Sequence, residues 1–153
     1  MDSETRPVAV FRYRFTVPPE AIDRNGHVNN VAYVEWMQNV AVRHSAANDG
    51  TAPMHDSGGN WVVRTHRIDY LVPAVCGDEI EAWTWVASLG RVRSERRYRF
   101  VRTSDGRVLA KAMTDWVSVD ASTGRPRAIP EAVRNAFPLT PDGFEPDLKT
   151  PVG

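Results

Sequence analysis

A chain of 153 residues with 42% hydrophobic and 25% charged residues has the composition of one ordinary globular domain with a single core. Its 19 basic and 19 acidic residues cancel, which argues against a general affinity for nucleic acid or for an anionic membrane. There is no long apolar run and no basic start followed by an apolar core, and the one cysteine, Cys76, excludes an internal disulfide framework; the expectation is a cytoplasmic protein with neither a transmembrane helix nor a signal peptide.

Residues 1–7 read as a polar start. Val8 to Val17 alternates, with Phe11, Tyr13 and Phe15 on one face and Arg12 and Arg14 on the other, which is the period of a half-buried strand. Pro18-Pro19 ends it, because neither proline can donate a ladder hydrogen bond. A loop then carries Asp23, Asn25 and His27, with Gly26 able to take angles its neighbours would resist. Asn29 or Asn30 suits a helix N-cap, and Val31 to about Asn48 has Tyr33, Met37, Val40, Ala41 and His44 at helical spacing. Asp49-Gly50 is a stop, with Gly50 expected as a left-handed cap. Thr51 to Asn60, with Pro53, Gly58 and Gly59, reads as a loop that could cover a site.

The second half is β-rich. Trp61–Val72, Glu79–Leu89, Val92–Thr103 and Arg107–Val119 are predicted strands, broken by the turn Pro73–Asp78, by Gly90 and by the hairpin signal Asp105-Gly106. Short connections predict an antiparallel meander through strands two to five. Pro130–Phe137 suits one short helix, and the proline-rich tail from Pro138 has little to bury. One strongly helical segment among strands predicts an α+β domain with the helix lying across the concave face of a curved sheet. The whole chain, 1–153, is expected to be one domain with a core over about 8–135 and a short tail at 138–153.

The polar cluster just ahead of the helix is the candidate active site. Helix N-termini leave backbone N–H groups without intrahelical partners, and the dipole there favours developing negative charge. The string Asp23-Arg24-Asn25-Gly26-His27-Val28-Asn29-Asn30, running into Tyr33 and Trp36, resembles the hotdog-fold acyl thioesterases. More narrowly it is similar to the 4-hydroxybenzoyl-CoA thioesterase-like branch and to acyl-ACP thioesterases. Tyr70…Pro73-Ala74…Gly77-Asp78 and Thr123-Gly124-Arg125-Pro126…Ile129-Pro130 add to the resemblance, which spans roughly residues 8 to 135.

The resemblance implies a hotdog fold, in which a curved sheet of about five antiparallel strands wraps one long helix. It also implies an acyl-CoA or acyl-carrier-protein thioester hydrolase of lipid metabolism that needs no cofactor or metal. Asp23 matches the catalytic carboxylate, as general base or as nucleophile. The N–H of Asn30, or of a neighbour, would donate to the thioester oxygen. Asn25 and His27 match polar active-site positions, and Tyr33 lies where an acyl group would be bound. The family pairs two copies, so a homodimer or a dimer of dimers (a homotetramer) is expected, with the pocket between one subunit's helix and its partner's strands. The acyl-ACP branch carries a glutamate and a cysteine on the strand after the helix; Asp69-Tyr70-Leu71-Val72-Pro73-Ala74 lacks that pair, which favours an Asp23-centred scheme.

Plainer readings stand beside these. Asp23 could be a loop or helix-start charge, His27 a loop-holding hydrogen bonder, and Asn29 and Asn30 caps. His44 reads as structural, and the four histidines share no metal-ligand spacing. Arg91, Arg93, Arg96, Arg97, Arg99, Arg102 and Arg107 crowd one hairpin. They read either as a solvated outer sheet face or as a patch for CoA phosphates or an acidic carrier. Arg125 and Arg127 are a second candidate pair for the nucleotide end. Two other functions fit the same resemblance: a hotdog enoyl-CoA hydratase or dehydratase, and a non-catalytic acyl-CoA-binding protein. No segment typical of DNA-binding regulators is seen at either end.

Overall fold

Alternation in residues 10–16 builds strand β1 (Val10–Thr16), whose Phe11, Tyr13 and Phe15 pack on the core. Arg12 and Arg14 take the other face, where both guanidinium groups donate to the buried Glu81 carboxylate at 3.1 and 3.2 Å. The structure, a computed structural model, describes residues 8–146; the polar start at 1–7 and the last part of the tail, 147–153, lie outside the described residues.

Helix α1 (Asn30–Ala47) begins at Asn29, whose Oδ1 accepts the Val31 N–H at 2.8 Å. It ends differently from expectation. Asp49, not Gly50, takes the left-handed conformation (φ 58°), which Asp tolerates better than most residues. Gly50 is needed for space instead, since a Cβ there would lie 2.8 Å from the Phe137 ring.

The predicted loop at Thr51–Asn60 is largely a short helix, α2 (Thr51–Asp56). Pro53 sits in its first turn, where a missing N–H costs no hydrogen bond. Met54 is buried in a cluster with Val86, Ile129, Val133, Ala136 and Phe137, so this segment is a packed corner and not a loose cover.

Strands β2 (Gly59–Tyr70), β3 (Glu79–Leu89), β4 (Arg93–Arg102) and β5 (Val108–Asp120) follow, then helix α3 (Glu131–Ala136). The sheet order is β1-β3-β4-β5-β2, antiparallel throughout. The expected meander therefore holds only for β3–β4–β5. β2 pairs with β5 on the far edge, from Gly59 opposite Asp120 to Tyr70 opposite Ala110. The segment 71–78 can make that return: at roughly 3.3 Å per residue it easily crosses three strand spacings of about 4.8 Å.

Tyr33, Met37, Val40, Ala41 and His44 of α1 are buried on the sheet. Beneath them lie Ile80 and Ala82 of β3, Tyr98 and Phe100 of β4, and Ala110 and Ala112 of β5. The small alanines let the helix approach the backbone while the aromatic residues fill the flanks. The result is the α+β hotdog arrangement, one long helix wrapped by a five-stranded antiparallel sheet.

The outer face carries Trp83, Trp85 and Val101. Here the tail departs from expectation. The Phe144 ring stands edge-on to Trp85 at 5.3 Å, and Glu145 accepts from Arg99 Nε at 3.1 Å, so Phe144 and Glu145 of the tail pack on this face. The arginine strip departs too. Arg99 is buried under that tail, and Arg96 is buried on the opposite, concave face in phase with Tyr98 and Phe100. No helix among the described residues is long and apolar enough to cross a membrane.

Candidate active site

The loop ahead of α1 is closed by its own backbone. The Asp23 N–H donates to His27 O at 2.8 Å, and the Gly26 N–H donates to Asp23 O at 3.1 Å. Gly26 takes φ 80°, which a side chain would strain. Ile22 and Val28 form a bridge, and the Asn29 N–H donates to Ala21 O at 2.7 Å, which presses the loop against the first turn of α1. Asp23 is thereby half-buried while residues 24–27 are exposed.

Asp23 Oδ1 accepts from the Asn25 N–H at 2.9 Å and, more weakly, from the His27 N–H at 3.4 Å. Among the described residues its Oδ2 has no partner, and neither do the side chains of Asn25 and His27. The Asn30 N–H, at the start of α1, also lacks an acceptor there. A fixed carboxylate with one open oxygen is thus carried by a loop whose backbone is tied to the start of a helix with an open N-terminus. Such a pair can hold a water or attack a carbonyl, and can stabilise the oxyanion that forms. Tyr70, which was not among the predicted site residues, donates from Oη to Asn30 O at 3.1 Å.

The other predicted site residues lie elsewhere. Tyr33 is 3% exposed, edge-on to Tyr70 and Phe100 at 5.4 and 5.3 Å, and belongs to the core. Burial above all, with the neighbouring Tyr70 and Asp78, pushes its phenol up to about 12, so it stays a neutral donor. Arg125 and Arg127 flank the turn after β5, where Arg127 lies 3.8 Å from Asp120. That carboxylate is held down at about 2, first by the Ser122 hydroxyl and then by the Thr123 and Ser122 N–H groups. This turn adjoins Gly59, at the opposite end of β2 from Tyr70. Twelve residues of strand make that separation roughly 30 Å or more. Within one chain, then, Asp23, Asn25, His27 and Asn30 come together, and the two arginines do not join them.

A cleft of about 350 Å³ is also remote from Asp23. It opens between the C-terminal half of α1, α2, Phe137 and the sheet, with Trp61 and Trp116 among its walls. At its edge His44 is enclosed: Nε2 meets Val8 O at 2.8 Å and Nδ1 meets Arg96 Nη1 at 2.9 Å. Burial first, and the Arg96 charge second, lower its pKa to about 4.

The family model of the thioesterase-like superfamily matches residues 17–137. The chain belongs to that superfamily. This thioesterase-like chain is 30% identical over 135 residues, 82% of its own length, to a chloroplastic palmitoyl-acyl carrier protein thioesterase of Cuphea hookeriana. It spans about a third of the length of the curated relatives it matches. Among solved structures, a 1,4-dihydroxy-2-naphthoyl-CoA thioesterase from Synechocystis superposes with a TM-score of 0.76 at 18% identity, covering 84% of this chain and 95% of the other. A 12:0-ACP thioesterase from Umbellularia californica superposes with a TM-score of 0.78 at 22% identity, covering 92% of this chain and 55% of the other. These likenesses match the hotdog fold read from the element order.

Sequence reasoning missed Arg96 as a member of the cleft. A signal was present: with period two, Arg96 shares a face with Tyr98 and Phe100 and not with Arg97 and Arg99. The crowding of arginines in that hairpin masked the parity.

Proposed function

We propose that this chain is a thioester hydrolase acting on acyl-CoA or acyl-carrier-protein thioesters, with Asp23 at the centre of the reaction. The observation that carries the reading is the half-buried Asp23 carboxylate. Its Oδ1 is fixed by the loop and its Oδ2 has no partner among the described residues, and the loop that carries it is tied at Ala21 to Asn29, the residue before the unpartnered Asn30 N–H. Membership of the thioesterase-like superfamily supports it.

As general base, Asp23 takes a proton from water as the hydroxide oxygen bonds to the thioester carbonyl carbon. The carbonyl electrons move to oxygen, where the Asn30 N–H and the helix dipole stabilise the anion. Collapse of that intermediate breaks the C–S bond, and the departing thiolate recovers the proton. As nucleophile, Asp23 would itself bond to the carbon and expel the thiolate by breaking the C–S bond, and water would then cleave the resulting anhydride to the free acid and the Asp23 carboxylate. His27 and Asn25, exposed and uncommitted, would orient water or the carbonyl.

The substrate pocket is completed by a second copy of the chain. β2 is a long edge strand with the exposed Val62, and α1 exposes Val31 and Val42, so apolar surface and an unpaired edge stand together. A partner paired along β2 would also bring Arg125 and Arg127 of one copy toward Asp23 of the other. An active monomer in analytical ultracentrifugation would sink this part of the reading.

The decisive test is Asp23→Asn, assayed by free-thiol release from a panel of aliphatic acyl-CoAs and one aryl-CoA. Loss of a general base predicts a fall of roughly 100-fold or more, with circular dichroism and Tm little changed. Full activity in Asp23→Asn would rule out the mechanism.

A further inference from the structure

Arg96 lies on the concave face of β4 and is 5% exposed. Its Nη1 donates to Thr84 Oγ1 at 3.0 Å and to His44 Nδ1 at 2.9 Å. Among the described residues no carboxylate pairs with it, and only its Nη1 makes hydrogen bonds, which leaves Nε and Nη2 open. The other buried guanidinium, that of Arg99, is by contrast paired with Glu145.

His44 is not a counter-charge. A guanidinium can only donate, so Nδ1 accepts, and Nε2 carries the hydrogen that goes to Val8 O. The imidazole is therefore neutral. Buried charges are as a rule paired, because an unpaired ion loses its hydration with nothing in return. Arg96 has no counter-charge among the described residues, only two neutral acceptors and the Phe137 ring face 5.6 Å from its guanidinium carbon, and it sits at a cleft.

That cleft, about 350 Å³, falls within the range of small-molecule sites, roughly 300–1,000 Å³. Apart from Arg96, its walls are mainly apolar: Ala41, Trp61, Val86, Leu89, Trp116 and Phe137. A cation set in an apolar pocket matches a ligand with an anionic end and a greasy body. A guanidinium with two open nitrogens suits the two oxygens of a carboxylate. A nucleotide would leave its sugar and phosphates against tryptophan and leucine.

We propose that this cleft binds the carboxylate of an apolar acid, with Arg96 as the group that receives it. The acid could be a free fatty acid or the far-end carboxylate of a dicarboxylic acyl thioester; the chemistry read by Arg96 is the same. Ala41 and Ser45 lie 11 and 15 residues along α1 from Asn30 (41 − 30 and 45 − 30), about 16–22 Å at 1.5 Å per residue. The site is thus distinct from the Asp23 loop of the same chain, and the proposal stands whether or not Asp23 is catalytic.

The test is calorimetric titration of the full chain with octanoate and with octan-1-ol, its uncharged match. The expected result is at least about 10-fold tighter binding of octanoate, the scale of one charge-assisted hydrogen bond. In Arg96→Gln, which keeps a donor for Thr84, the ratio should fall to within about 2-fold. Equal binding of acid and alcohol by the wild type would overturn the proposal, and so would a preference that survives in Arg96→Gln. If that variant does not fold, the wild-type pair decides by thermal shift: octanoate raising Tm well above octan-1-ol supports the site, and equal shifts reject it. Thiol release from hexadecanedioyl-CoA and palmitoyl-CoA, whose extended 16-carbon chains match the separation along α1, then separates the sources. A preference for hexadecanedioyl-CoA that Arg96→Gln loses places the far-end carboxylate in the cleft; equal rates, with octanoate bound through Arg96, identify the free acid as occupant. If neither thioester is cleaved, the hydrolase reading fails and the binding result remains.

Discussion

At the N-terminal end of α1, Asp23, Asn25 and His27 hold polar atoms at the surface with few partners. At the C-terminal end, His44, Asn48 and Arg96 are buried, and His44 and Asn48 are tied to backbone. One helix therefore presents two kinds of polar cluster. The first is held by a self-contained loop and has hydrogen-bonding capacity to spare. The second binds the start of β1, the end of α1 and the end of α3 into one unit. Removing a side chain should therefore change chemistry at one end and stability at the other.

The largest stability effect expected is Asn48→Ala. Asn48 accepts the Val8 N–H at 3.1 Å and donates to Val8 O at 2.9 Å and to Ala136 O at 2.8 Å. Losing these three hydrogen bonds, one to the buried Ala136 carbonyl and two to the part-buried Val8 backbone, should cost roughly 4 kcal/mol, read by urea denaturation. A loss under 1 kcal/mol would mean that water replaces the amide easily, and the contrast between the two ends would weaken.

Next comes pH. His44 titrates at about 4 in the folded chain, against 6.5 for the free group. Below 6.5 the unfolded chain takes up a proton that the folded chain refuses until about 4, so stability falls as pH drops through that window and is unaffected above it. The full effect is on the order of 3 kcal/mol. Urea titrations above and inside the window, in the wild type and in His44→Gln, check this: the variant should lose part of the slope, and an unchanged slope would place the proton elsewhere.

The smallest effect sharpens the other end. Asn29→Ala removes the cap on the Val31 N–H and should cost about 1 kcal/mol. Because the Asn30 N–H and Asp23 are untouched, thiol release should fall far less than in Asp23→Asn. If the two variants lose activity equally, the helix start and the carboxylate act as one device.

Much of this was legible in the sequence because local patterns carried it. The alternation of β1, the Asn29 cap, the spacing of α1 and the Asp105-Gly106 turn each depend on neighbours in the chain. So does the closeness of Asp23, Asn25, His27 and Asn30, which span only eight residues (30 − 23 + 1). What failed depended on distant partners. Gly50 was read as a conformational glycine, but its reason is Phe137. Thr51–Asp56 was read from its proline and glycines, but Met54 anchors it in a remote cluster. β2 was placed beside β3 by chain order, although its partner is β5. Arg96 was counted with its charged neighbours, although the face it occupies is decided by the sheet.

The strand order has one more consequence, which concerns time. The centre of the sheet, β3–β4–β5, comes from the second half of the chain, while both edges and the helix come from the first. Val10 must find Trp85, and Gly59 must find Asp120. Contacts so far apart in sequence slow folding, because loop entropy is lost before the pairing is gained. During synthesis the edges emerge before any centre exists for them to join. Phe11, Phe15 and Trp61 then wait in water until the hairpins behind them have been made.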